Sequence, residues 1–228
     1  MIKSVFLDLD DTIFDFKKAE AIALNEMLCG FGIHPSAEMT ERYSVINKGQ
    51  WELLEKKQKT RDEVLIDRFT IFFSEIGADI DSMKAREIYE YRLGCGHYFI
   101  DGAEALLESL YGKYDLYLAS NGTESVQKRR IASSGIEKYF KDIFISQAIG
   151  ADKPSEKYFE TCFSRICDFN KKAAIIIGDS ITSDILGGKN AGIKTCLFNP
   201  HLKKNLTNIV PDFEIGSLYS IPELLERI

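Results

Sequence analysis

Histidine is scarce in this chain, with three among 228 residues (His34, His97 and His201) and no two of them clustered. Cysteine is limited to Cys29, Cys95, Cys162, Cys167 and Cys196, an odd and scattered set without a CxxC pair. Zinc is therefore disfavoured, and reduced thiols are expected rather than a disulfide framework. All five are expected to be small buried hydrophobes. No apolar run approaches the roughly 18 residues of a membrane span. Ile2 to Leu9 is too short for a secretory apolar region, and Asp8, Asp10 and Asp11 interrupt it at once, so the cytoplasm is the expected compartment. Internal repeats, low-complexity stretches and a GxxxxGK[ST] phosphate loop are all missing. The net charge of -6 disfavours nucleic acid and anionic membrane surfaces as partners. A small anionic substrate can still bind at a locally cationic site.

A hydrophobic share of 45% can bury a sizeable core. Short apolar runs end in polar residues at KSVFLDL (from Lys3), Leu116–Ser120, Ile143–Ser146, Ala173–Ile177 and Thr195–Phe198, with a weaker run near Phe213–Ile215. These read as buried strands. Helical stretches separate them at Ala103–Tyr111, Glu124–Ser134, Ser155–Cys167 and Ser183–Ala191, and a last helix starts near Pro222. Ser155 suits an N-cap and Gly192 a C-cap. Strands alternating with single helices predict a parallel sheet with crossover connections. From about Asp15 to His97 the alternation stops. Four helical segments replace it: Phe16–Gly30, Ala37–Lys57, Arg61–Gly77 and Ser82–Gly94. Leu65, Phe69 and Phe72 form an apolar stripe there. The expected organisation is an α/β core of residues 1–14 and 98–228, carrying an all-helical insertion of residues 15–97.

Ligands of an open parallel sheet gather at the carboxyl ends of its strands. The first strand delivers Asp8, Asp10, Asp11 and Thr12 there. The second delivers Ser120, Asn121 and Gly122. The third leads to Lys153, and the fourth delivers Gly178, Asp179 and Ser180, with Asp184 a turn later. Asp8 and Asp10, two apart on a strand, point the same way. Such crowded carboxylates need a cation or a raised pKa, and a hard ion such as Mg2+ suits them, with Asp179 adding an oxygen. An aspartate against a cation can attack phosphorus, and its neighbour can protonate the leaving oxygen and later deprotonate water. The other polar features read as structural: Lys128-Arg129-Arg130 as a solvated helix face, and Trp51, Phe69, Phe72 and Phe73 as core.

Asp8-Leu9-Asp10-Asp11-Thr12 resembles the first motif of the haloacid dehalogenase (HAD) superfamily. Ser120-Asn121 resembles its second, Lys153 its third, and Gly178-Asp179-Ser180 with Asp184 its fourth. The resemblance implies a Rossmann-like core with a helical cap inserted after the first strand. It implies Asp8 as nucleophile and Asp10 as general acid and base. Magnesium would be held by Asp8, Asp179 and the main-chain carbonyl of Asp10. Phosphate would be bound by Ser120, Lys153 and the main chain around Asn121. Thr12, Ser180 and Asp184 would support the site. DLDDTIFDF at Asp8–Phe16, the stretch Ser120–Ser146 and the stretch Ile177–Pro200 are similar to the YjjG/YfnB branch, which implies a 5′-nucleotidase acting on pyrimidine nucleoside monophosphates. Asp152 departs from that branch, where Gln is expected. Other phosphatases of this architecture, for phosphoglycolate or a sugar phosphate, and a phosphomutase remain alternatives. A dehalogenase would have no use for Asp10 or Asp179, and a catalytically dead binding module would be expected to have lost one of these residues.

Overall fold

The computed structural model describes residues 1–228, which divide into two compact units, Met1–Asp15 with Phe99–Ile228, and Phe16–Tyr98. The first unit is built on six strands: β1 (Ser4–Leu7), β2 (Asp115–Ser120), β3 (Asp142–Ile145), β4 (Ala174–Gly178), β5 (Lys194–Phe198) and β6 (Phe213–Ile215). All neighbours are parallel, in the order β3-β2-β1-β4-β5-β6. The chain adds strands outward on one side of β1 and then crosses to the other. This makes β1 and β4 the switch point, outside whose carboxyl ends a crevice opens.

Side-chain alternation fills both faces of the sheet. Val5, Leu7, Leu116, Leu118, Ile175 and Ile177 pack on one face with Leu106, Leu107, Leu110 and Ile131. Phe6, Tyr117, Ala119, Phe144 and Ile176 pack on the other with Tyr158, Phe159 and Cys162. With both faces dry, the strands read as continuous apolar runs. β1 is shorter than its run, because Leu9 turns out of the sheet into a tight loop closed by hydrogen bonds from Ile13 N and Phe14 N to Leu9 O. The helix starting near Ser155 also ends early, spanning Glu156–Ser164, with the Ser155 hydroxyl capping Tyr158 N. After β4 the chain makes a wide π-helical turn, Ile181–Ile185, before the α-helix Leu186–Ala191, because Ser180 O accepts from both Asp184 N and Ile185 N.

The second unit has four helices, α1 (Phe16–Gly30), α2 (Ala37–Glu55), α3 (Arg61–Ile76) and α4 (Ser82–Leu93). A Thr60–Glu63 capping box starts α3, and Gly77 ends it with φ 66, the conformation a C-cap glycine adopts at least cost. Tyr43, Phe69, Phe72, Phe73 and Tyr89 are buried, with Tyr43 against Phe69 and Phe72 at ring separations of 5.4 Å. A polar cluster is buried beside them. Asn47 donates to Glu20 at 2.6 Å and accepts from Trp51 and Arg68, and Glu90 pairs with Arg68 and Arg86.

The cysteines divide. Cys162 and Cys196 are buried, and burial pushes both thiols up to about 12, which leaves them inert. Cys29, Cys95 and Cys167 are exposed, contrary to the expectation of burial. Cys29 lies one residue before the end of α1, and the other two lie just past helix ends, where side chains meet solvent. No helix is long and apolar enough to cross a membrane.

Candidate active site

The residues beyond β1, β2 and β4, with Lys153 from the segment after β3, form two adjoining clusters in the sheet unit. The first centres on Asp8. Its backbone N–H donates to Ile177 O at 2.9 Å, tying the end of β1 to β4. The Lys153 ammonium donates to Asp8 Oδ1, Asp184 Oδ1 and Ala119 O, each at 2.6 Å. Lys153 is buried, so its three protons are each matched to an acceptor. Burial alone would lower its pKa, but Asp184 and Asp8 outweigh that and raise it. Asn121 fixes the backbone of this lysine. Its side chain accepts from Lys153 N and donates to Lys153 O, both at 2.9 Å. The Asn121 side chain thus has both ends committed to Lys153, which leaves its main chain as the part available to a phosphate.

One ammonium does not neutralise the carboxylates around it. Asp8, Asp179 and Asp184 have oxygens all within 4.8 Å of one another. Burial pushes the Asp8 carboxyl up to about 8, against the pull of Lys153 and helped by Asp184. Asp179 is raised well above the carboxylate range by burial and then by Asp8, Asp184 and Asp11. Three hard oxygen donors with excess negative charge and no nitrogen or sulfur ligand fit Mg2+ in donor chemistry. The side chain of Asp10 is not among them.

Asp184 is completely buried, and its second oxygen accepts from Ser180 N at 3.1 Å. Ser180 Oγ accepts from Ser183 N at 3.2 Å, capping the π-helical turn. Gly178 makes this approach possible: a Cβ there would lie 2.2 Å from Asp184 Oδ2. Thr12 is buried beyond Asp10, its hydroxyl without a hydrogen-bond partner. Between them Asp11 takes φ 56 and donates its N–H to Phe14 O at 2.7 Å, a left-handed turn that aspartate tolerates better than most residues.

The second cluster centres on Asp10 and contains two residues that the sequence reading passed over. Gln127 Nε2 donates to Asp10 Oδ2 at 2.6 Å and to Ser120 Oγ at 2.9 Å. Arg130 NH1 donates to Asp10 Oδ1 at 2.5 Å and to Gln127 Oε1 at 2.9 Å. Arg130 is fully buried, with its guanidinium over the Phe14 ring at 5.1 Å. The expectation of a solvated Lys128-Arg129-Arg130 face holds for Lys128 and Arg129, which are exposed, and fails for Arg130. The cause is helical geometry. Residues three apart share a face, so Gln127 and Arg130 of the helix Glu124–Ser134 turn inward together, with Val126 and Ile131 also buried.

A parallel sheet of this order, with an aspartate cluster beyond its switch-point strands, is a Rossmann-like scaffold carrying a candidate active site. The haloacid dehalogenase-like hydrolase family model matches residues 5–198, and the chain belongs to that family. It is 40% identical to the HAD-hydrolase YfnB of Bacillus subtilis, over 98% of this chain and 95% of the relative. It is 37% identical to the pyrimidine 5′-nucleotidase PynA of Streptococcus pneumoniae, over 99% of this chain and 95% of the relative. The crystal structure of Bacillus subtilis YfnB bound to magnesium, described as revealing interdomain movement, superposes with a TM-score of 0.94 at 39% identity, covering 98% of each chain.

Proposed function

We propose that this hydrolase cleaves phosphate monoesters with magnesium, through an aspartyl-phosphate on Asp8, and that its substrates are pyrimidine nucleoside monophosphates. The observation that carries the chemistry is the division of labour between the two carboxylates after β1. Asp8 lies against Lys153 and within the Asp179–Asp184 cluster, whereas Asp10 is held separately by Gln127 and Arg130. The substrate class rests on the likeness to PynA along nearly the whole chain.

In the first step an Asp8 oxygen bonds to phosphorus as the ester P–O bond breaks. The leaving oxygen takes a proton from Asp10, and a neutral alcohol departs. In the second step Asp10, now ionised, takes a proton from water, and the resulting hydroxide oxygen bonds to phosphorus. The bond to Asp8 breaks and inorganic phosphate is released. Ser120 and the main chain near Asn121 hold the phosphoryl oxygens, and Lys153 supplies positive charge beside them. Bound by Asp8, Asp179 and the Asp10 carbonyl, with Asp184 in support, magnesium would neutralise charge on the transferring group. These groups recognise only phosphate, metal and leaving oxygen, so choice among esters is assigned to the helical unit, acting as a cap.

Steady-state kcat/KM across nucleoside monophosphates, sugar phosphates and phosphoglycolate, with Mg2+, tests the reading. Uridine and thymidine monophosphates should lead the panel. A large preference for phosphoglycolate would sink the nucleotidase assignment, and isomerised phosphosugar in place of free phosphate would mark a phosphomutase.

A further inference from the structure

The two residues around Asp10 have no part in the scheme above, and their geometry is specific. Both carboxylate oxygens of Asp10 are occupied, one by Gln127 and one by Arg130. The Gln127 amide has one sensible orientation. Its Nε2 faces two acceptors, Asp10 Oδ2 and Ser120 Oγ, while its Oε1 faces the Arg130 donor. Reversal would set a carbonyl against a carboxylate and an NH2 against a guanidinium. Because Ser120 Oγ accepts from Gln127, the serine's own hydroxyl proton remains free to donate elsewhere. Gly122 leaves the space this arrangement needs, since a Cβ there would lie 2.7 Å from Gln127 Cγ and Nε2.

We infer that Gln127 and Arg130 are positioning residues that hold the Asp10 carboxyl in line with the leaving oxygen and, through the same Gln127 amide, aim the Ser120 hydroxyl at the phosphoryl group. The general acid and the phosphate-binding hydroxyl are thus set by one side chain, delivered from the helix after β2 to the loop after β1. This rests on Asp10 being the general acid. A guanidinium without exposure could be retained simply to neutralise a half-buried carboxylate beside it. The bridge to Ser120 goes beyond that, because neutralising Asp10 needs no contact with the serine.

Leaving-group dependence separates positioning from bulk structure. Departure of an alkoxide needs a proton from Asp10, whereas p-nitrophenolate leaves without one. The ratio kcat/KM reports only the steps up to that departure, so the later hydrolysis of the aspartyl-phosphate does not enter. Arg130→Met should lower kcat/KM for uridine 5′-monophosphate by about 100-fold, within the range general-acid catalysis supplies, and for p-nitrophenyl phosphate by less than about 10-fold. Gln127→Leu, which also releases Ser120, should lower kcat/KM for both substrates, with the nucleotide falling about 10-fold further. Arg130→Lys, which keeps a cationic donor, should recover part of the loss on the nucleotide. Equal losses on both substrates would overturn the inference. Asp10→Asn is the reference. Should it lack leaving-group dependence, the general-acid reading itself fails. Should it show that dependence while Arg130→Met and Gln127→Leu do not, only the positioning role fails. Gln127→Leu removes no charge, so it carries the test if Arg130→Met does not fold, with circular dichroism melts reporting the fold of each variant.

Discussion

Both units of this molecule bury charge, and they do so in opposite ways. In the helical unit, Glu90 is matched by Arg68 and Arg86, and Asn47 links Arg68 and Trp51 to Glu20. In the sheet unit, Asp8, Asp179 and Asp184 share the single ammonium of Lys153. A balanced buried network stabilises the fold only if every member stays paired. An unbalanced one is held under electrostatic tension, which the surrounding fold must offset. Balance is the pattern of structure, and imbalance is the pattern of a candidate site.

Removing one charge from each region should have opposite consequences. Asp8→Asn should abolish turnover, by at least about 1,000-fold in kcat as expected for loss of a covalent nucleophile. The same change should raise the thermal midpoint of the metal-free protein at neutral pH, because it deletes a carboxyl whose ionised form the fold disfavours. In the helical unit, Arg68→Met should cost about 3 kcal/mol in denaturant unfolding, since it removes a buried cation from Glu90 and a donor from the buried Asn47. Equal signs for the two stability changes would erase the distinction.

The comparison sharpens with pH. The folded-state pKa of Asp8, about 8, lies above its ordinary 3.8. Between those values the unfolded chain binds fewer protons than the folded one, so metal-free stability should fall as pH rises from about 4 to 8. Melting curves without divalent ions should show that slope, with Asp8→Asn flattening it. Mg2+ binds the ionised carboxylates and should restore stability most at the alkaline end. The smallest effect belongs to a neutral contact. Gln147 Oε1 accepts from Glu124 N at 2.7 Å and caps the helix carrying Gln127 and Arg130. Gln147→Ala should cost about 1 kcal/mol, in line with other N-caps.

The sheet was legible because each strand is a dry apolar run cut off by polar residues, as at Leu7-Asp8 and Ile177-Gly178-Asp179. The clustered carboxylates were legible for the same reason, since they stand where the runs end. Arg130 was not, because its partner Asp10 lies 120 positions away, and in sequence it continues a basic triplet. The one local clue was its three-residue spacing from Gln127 on a helix whose neighbouring Val126 and Ile131 are apolar. The wide turn at Ile181–Ile185 was also hidden. It depends on Ser180 and Asp184 closing on each other beside a glycine, and residue type alone does not encode that closure.

A small pairing at the root of the helical unit has a wider consequence. Phe14 bridges Phe99 in antiparallel fashion, and Ile100 N donates to Ile13 O at 2.9 Å. The chain therefore leaves the sheet unit and returns to it at adjacent backbone positions, a gap that a short hairpin could span. The helices are grafted onto a closed seam. Such a seam lets natural or laboratory recombination exchange one helical module for another, or delete it, without re-threading a single strand of the sheet.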